Sequence, residues 1–305
     1  MKINTRLQSY VVKALSQSLN VHMMEKIAQR VMPRYNLHER SGFPENIPIP
    51  QQNAAYQITH DMKQFGLFLK FIEVLIEVDK NGVMGRQISI RFLPQILKEV
   101  EGLHYEYNHE YGLFIEDATR KTKGWGILQD GKIYEFTFIR IDIVQNSELV
   151  RKYPEISIRK TYNDLKRLFK GILEKRKGRV WDWEGDGGLG AFYLPNKNVL
   201  AALCGVEIML ELFIYNLFRS KLNEPLQVRI AVHTGPSKFT SSTDTIQNDT
   251  LRRLESIEAR YSKSNWLVLS QGVFSDLGGK LAKLFRPYEV ENGLFLYRYM
   301  LEWEE

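Results

Sequence analysis

The stretch YEFTFIRIDIV, residues 134–144, decides the fold. It is dense in β-branched and aromatic residues and follows an Asp130-Gly131 turn signal, so it reads as a strand. Alternate residues of a strand share a face, which sets Ile139, Ile141 and Ile143 on one side and Arg140, Asp142 and Val144 on the other. The isoleucines take the core. Asp142 is then a carboxylate at the end of an otherwise apolar strand, where the chain turns into Gln145-Asn146-Ser147.

Downstream, the pattern predicts a helix over 155–177 and strands over 179–184 and 188–193 joined by a Gly185-Asp186-Gly187 turn. A helix over 198–221, a strand over 226–233, a polar loop to Asn248, a helix over 249–262 and a strand over 266–269 follow. A closing hairpin over 284–290 and 293–299 turns at Glu291-Asn292. This order is β-α-β-β-α-β with additions, the ferredoxin-like arrangement. Upstream, apolar residues recur every four positions from Leu7 to Val31 and predict one helix over 5–31. Further helices are expected over 53–78 and 88–100, with a proline-rich loop over 41–50. The reading is an α+β protein with a mainly helical N-terminal domain (1–120, with a possible sensing or interaction role), a linker (121–133) and an antiparallel-rich sheet domain (134–305).

A chain of 305 residues is long for one hydrophobic core, which favours two domains. With 44% hydrophobic and 26% charged residues it can bury those cores and is not disordered by composition. Glu207 and Glu211 interrupt the longest apolar run, 198–218, so no membrane span is expected. The start, MKINTRLQSY, lacks a leader-like apolar segment, which points to the cytoplasm. The single cysteine, Cys204, lies in an apolar helical stretch and reads as a small buried hydrophobe. Net charge is +6, and the basic cluster Lys175, Arg176, Lys177 and Arg179 reads as a solvated helix end. No longer basic stripe interleaved with aromatics follows it, so no nucleic-acid partner is expected.

Asp186 sits between glycines that permit a tight turn and leave room for a ligand. If the strand of Asp142 and the hairpin of Asp186 are neighbours, both carboxylates reach one sheet edge. Two hard oxygen ligands held together suit Mg²⁺ or Mn²⁺, which also bridge triphosphate oxygens. Each site alone reads more readily as structure: Asp-Gly is a common hairpin turn, and His233 in VRIAVHTGP more often belongs to a core. Trp181 and Trp183, two apart, read as sharing a face and as core packing.

FTFIRIDIVQNS, EGDGGLGAF and VRIAVHTGP, taken together and in this order, resemble three motifs of the class III adenylate and guanylate cyclases. The resemblance covers residues 134 to about 269. It implies a ferredoxin-like class III cyclase domain, a homodimer with sites at its interface, and two divalent ions per site, Mn²⁺ or Mg²⁺. It also implies a nucleoside triphosphate substrate whose ribose 3′-oxygen attacks the α-phosphate with loss of pyrophosphate. Asp142 and Asp186 match the metal aspartates, and the main-chain oxygen of Ile143 matches an additional metal contact. Asn146 and Ser147 match the loop that approaches the phosphates, and Arg253 matches the arginine that stabilises the transferring phosphate. Asp182 stands where purine cyclases have a base-reading lysine, Arg140 where an aromatic is usual, and Asp249 where an asparagine is expected. Arg140 is expected to face the base or to pair with Asp182. With Trp183 it would crowd the base site. These departures make the chain most similar to the pyrimidine cyclases of the bacterial Pycsar antiphage system, which make cyclic CMP or cyclic UMP as a second messenger. The alternative is a cyclase-like dimerisation or nucleotide-sensing module without turnover, and a helical adaptor acting through residues 1–120 also stays open.

Overall fold

The computed structural model describes residues 3–117, 121–241, 248–290 and 294–301. The chain divides into two compact units, Met1–Lys121 with Trp125–Ile127, and Thr122–Gly124 with Leu128–Glu305, so the stretch read as a linker is shared between them.

The first unit holds α1 (Thr5–Ser18), α2 (Val21–Val31), α3 (Leu37–Ser41), α4 (Gln51–Gln64), α5 (Phe68–Asn81) and α6 (Leu93–Glu101). A small antiparallel hairpin follows, β1 (Tyr105–Asn108) and β2 (Leu113–Glu116). The single helix expected over 5–31 is two. Leu19 is extended, and Asn20 caps α2 by accepting a hydrogen bond from the Met23 amide, which ends the first helix although the apolar stripe runs on. The helix expected over 53–78 is likewise broken, at Gly66 with φ +69°. The third starts late, at Leu93, because Pro94 is tolerated only in a first turn.

The second unit is built on β3 (Ile133–Ile143), followed by α7 (Asn146–Lys152), α8 (Glu155–Lys175), β4 (Arg179–Glu184), β5 (Gly187–Phe192), α9 (Lys197–Phe218) and β6 (Val228–Lys238). Then come α10 (Asp249–Ser256), continued by a π-helical turn Ile257–Tyr261, β7 (Trp266–Ser270), α11 (Gln271–Phe274), α12 (Gly279–Ala282), β8 (Arg286–Val290) and β9 (Leu294–Tyr299). The sheet order is β4-β5-β3-β6-β7-β9-β8. Its first four strands are the expected β-α-β-β-α-β core, all antiparallel to their neighbours, and only β6 and β7 pair parallel. The fold is therefore α+β with an antiparallel-rich sheet, as expected. The turn expected at Glu291-Asn292 and part of the polar loop before Asn248, residues 242–247, lie outside the described residues.

Strand β3 sorts its side chains as the sequence requires. Ile139, Ile141 and Ile143 are buried with Leu165 and Phe169 of α8 and Ala201, Cys204 and Ile208 of α9. Among the described residues, α9 is the one helix long and apolar enough to cross a membrane by length and composition, and half of that stretch is buried in the fold. Two residues of the basic cluster pair with Glu207 of α9, Arg176 largely covered and Lys175 at the exposed helix end.

Gly190 is where β5 passes beneath α8. A Cβ there would stand 2.2 Å from Cδ2 of Leu173 and 3.1 Å from Cγ2 of Ile139, and both side chains are fully buried with nowhere to move. Gly190→Ala is expected to destabilise the unit by about 1–3 kcal/mol, the usual cost of overpacking. Urea denaturation measures it, and an unchanged midpoint would contradict this packing.

Candidate functional site

The other face of β3 carries Arg140 and Asp142. Arg140 pairs with Leu189 of β5 and Ala231 of β6, and Asp142 pairs with Arg229 of β6. The β4–β5 turn closes over this edge, with Gly185 at φ +53°, a conformation that glycine adopts without strain. A Cβ on Gly187 would lie 2.8 Å from the Ile141 carbonyl oxygen and 3.1 Å from Oδ1 of Asp142. Only a glycine lets the hairpin tip come this close, and Asp186 is thereby set beside Asp142. Both carboxylates open into a cavity of about 580 Å³, whose wall also includes Arg140, Asp182, Arg252 and Glu255.

The electrostatics of this edge are those of carboxylates short of cations. Burial pushes the Asp186 carboxyl above its ordinary range, and the Asp142 charge adds to the rise, partly relieved by Arg229 and Arg140. Asp142 has one close cation, with Arg229 Nη2 donating to its Oδ2 at 2.5 Å. The same guanidinium reaches Glu258, Nε to Oε1 at 2.8 Å, and Arg140 reaches Glu258 at 3.5 Å and Glu255 at 3.6 Å. Glu258 is 4% exposed, and burial raises its carboxyl pKa against the opposing pull of the two arginines. Burial would lower the Arg229 pKa, but its bond to Asp142 and the charge of Glu258 leave it raised. Stripping one partner from a buried ion pair costs about 3–5 kcal/mol, so this alternating chain of charges holds itself together.

Several expectations need correction. Arg140 and Asp182 share a face but stand on either side of Leu189 in register, so Arg140 pairs with Glu255 and Glu258 and not with Asp182. Trp181 and Trp183 lie on opposite faces, because a bulge between Val180 and Asp182 breaks the two-residue period. Trp181 packs on Phe136 and Phe138, while Trp183 packs on Phe169 of α8 with its indole N–H donating to the Gly185 carbonyl. Trp183 is not in the cavity wall and does not crowd it. Asp182 is in the wall, its Oδ1 accepting from the Trp183 amide.

Asn146 and Ser147 open α7 in place of the expected loop, and Asn146 Oδ1 accepts a hydrogen bond from the Tyr162 hydroxyl at 2.5 Å. Burial raises the Tyr162 phenol pKa against the pull of its hydrogen bond to Asn146, and the Asp186 charge adds to the rise. Ile143 ends β3 opposite Val228 with its side chain in the core. The structure sends Arg252 and Arg253 to different places. Arg252 borders the aspartate cavity, whereas Arg253 borders a second one of about 420 Å³ with His233, Ser270, Gln271, Gly272 and Ser275.

Sequence reading missed Arg229, Glu258, Arg252 and Glu255. The signal for Glu258 was present: it lies seven residues after Leu251 and four after Leu254, on the inward face of its helix. Arg229 carried none, since only the β3–β6 register sets it against Asp142.

Among the described residues no group of three or more His, Cys, Asp and Glu side chains is gathered as a metal cluster. The pair Asp142 and Asp186 nevertheless fits a hard divalent cation: two oxygen donors on one edge, one of them with its charged form disfavoured by burial and by the other.

No family model matches the sequence, and no curated protein matches it. Among solved structures the chain is similar to the monomeric guanylyl cyclase domain of the RhoGC fusion protein from Blastocladiella emersonii (18% identity, TM-score 0.48, 56% of this chain and 98% of that one). It is also similar to the guanylate cyclase domain of RhGC from Catenaria anguillulae in complex with GTP (17%, 0.47, 55% and 97%) and to the adenylyl cyclase CyaB from P. aeruginosa (17%, 0.46, 57% and 96%).

His233 gives a measurable electrostatic signature. Its Nδ1 lies 2.9 Å from the Ser270 hydroxyl, and burial, with the Arg253 charge, lowers its pKa from 6.5 to about 4. A depressed histidine pKa contributes stability above the unfolded value that is lost as pH falls through the folded one. Between pH 6.5 and 4 the unit should lose at most roughly 3 kcal/mol from this group. Urea denaturation across that window should show a shallower loss in His233→Asn, and an identical slope would contradict the assignment.

Proposed function

We propose that the second unit is a metal-dependent nucleotide cyclase that converts a nucleoside triphosphate to its 3′,5′-cyclic monophosphate and pyrophosphate. The observation that carries this reading is the meeting of Asp142 and Asp186, through Gly187, at a cavity also bordered by Arg140 and Arg252. Acidic oxygens for divalent ions and cations for phosphate oxygens are what phosphoryl chemistry asks of a protein. Asp142 and Asp186, with the main-chain oxygen of Ile143, would hold two Mn²⁺ or Mg²⁺ ions. Bound there, the ions supply Lewis-acid stabilisation of charge on the phosphates. Asn146 and Ser147, at the start of α7, would approach the phosphates.

Arg253 borders the second cavity and not the aspartate cavity of its own chain, which supports a homodimer in which it serves the partner's site. The substrate we favour is CTP or UTP, in an antiphage signal, on the resemblance to pyrimidine cyclases and on Asp182. A carboxylate in the cavity wall accepts from a base N–H and cannot donate to a base acceptor, as a lysine would. Crowding by Trp183 no longer contributes. A module without turnover is the second reading, favoured by one observation: Asp142 already has a cation in Arg229.

Incubation of the protein with each of the four ribonucleoside triphosphates and Mn²⁺, with products identified by mass spectrometry, decides between these readings. Cyclic CMP or cyclic UMP should dominate. Cyclic AMP or cyclic GMP in their place would refute the pyrimidine choice, and no product from any of the four favours the second reading. Asp142→Asn and Asp186→Asn should each lower turnover by at least about a hundredfold in a folded protein, the scale of losing one transition-state contact. Equal amounts of Asp186→Ala and Arg253→Ala chains should recover about a quarter of wild-type activity, from the one intact site of each heterodimer. No recovery in proven heterodimers would place the site within one chain.

A further inference from the structure

We propose that Arg229 is an internal counter-ion which Asp142 exchanges for the divalent metal, and that Glu258 is the positioning residue that keeps Arg229 when the exchange occurs. The inference rests on the metal-site reading above and adds to it residues that reading does not use.

Arg229 stands directly across the β3–β6 ladder from Asp142, so its guanidinium cannot avoid the metal edge. Its fork is divided between two carboxylates, Nη2 on Asp142 at 2.5 Å and Nε towards Glu258 at 2.8 Å. These two contacts differ in quality. Nη2 to Asp142 is a directed hydrogen bond, whereas Nε of Arg229 and Oε1 of Glu258 are both buried without one, close together but badly aligned. Buried donors and acceptors are rarely left so. Arg229 cannot satisfy both acids at once while turned to Asp142, and a guanidinium released from Asp142 is free to rotate onto Glu258. Arg140 shares Glu258 at 3.5 Å and also lacks a directed hydrogen bond at Nε, so the buried acid holds both arginines of this face in reserve.

The position of Glu258 fits this role. It lies on the π-helical turn Ile257–Tyr261, which follows a helix whose Leu251 and Leu254 face inward, and it is almost fully buried. π-Turns of this kind recur at functional sites. The remaining charged groups that face Arg229 are Asp186 and, through Arg140, Glu255.

The test is Mn²⁺ binding without nucleotide, followed by electron paramagnetic resonance of the free ion, alongside thermal unfolding without metal. Arg229→Gln should bind Mn²⁺ about tenfold more tightly than wild type, since no internal cation has to leave. Glu258→Gln should bind about tenfold more weakly, because Arg229 then has only Asp142. The double variant should bind like Arg229→Gln alone, because Glu258 acts through Arg229. Additive effects would instead mean simple through-space electrostatics and would overturn the exchange. Without metal, each single variant should melt lower than wild type and the double variant should recover part of the loss, which separates an altered site from a failed fold. Mn²⁺ binding that Asp186→Asn abolishes but Arg229 and Glu258 variants leave unmoved overturns the exchange alone. No Mn²⁺ binding by the wild-type chain overturns both the exchange and the metal-site reading.

Discussion

Strand β3 is hydrogen-bonded on both sides, to β5 and along all eleven residues to β6, and everything else in the second unit is placed by that double register. A strand held this way cannot slip by one residue without turning its isoleucines out and its charges into the core. The hydrophobic burial of Ile139, Ile141 and Ile143 under α8 and α9 therefore fixes where Arg140 and Asp142 stand. The β4–β5 hairpin is docked by the same register, and its glycines let it settle on Asp142 at backbone distance.

The price of that placement is charge on a half-buried surface. Asp142, Arg229, Glu258 and Arg140 answer it as an alternating chain, each group held by one of opposite sign. Asp186 stands outside this chain, where burial and the neighbouring aspartate together raise its carboxyl pKa. If the proposed exchange holds, the affinity of the edge for a divalent ion is a difference between two cations competing for Asp142.

Helix α10 divides its two adjacent arginines between two cavities, since neighbours on a helix are about 100° apart. Arg252 is thereby given to the aspartates of its own chain and Arg253 to the His233 side. Arg253 could meet an aspartate pair only on a second chain, which is what the homodimer proposal requires of it.

The sequence by itself determined the elements whose signal is local. The β-branched run of β3, the Gly185-Asp186-Gly187 turn and the four-residue spacing of the helices are all carried by contiguous residues, and so the β-α-β-β-α-β order and the two aspartates were legible. Boundaries failed where one residue overrode a periodic pattern, as Asn20, Gly66 and Pro94 did. The tertiary structure alone decided what depends on residues far apart in the chain. The bulge in β4 sent Trp183 away from the cavity, and Leu189 came between Arg140 and Asp182. Arg229 reached Asp142 from 87 positions downstream, and Glu258 joined it through Arg229 from 116 positions downstream. Pairing register and helix docking create those contacts. Both are set by the summed packing of the core, which no short stretch of sequence encodes.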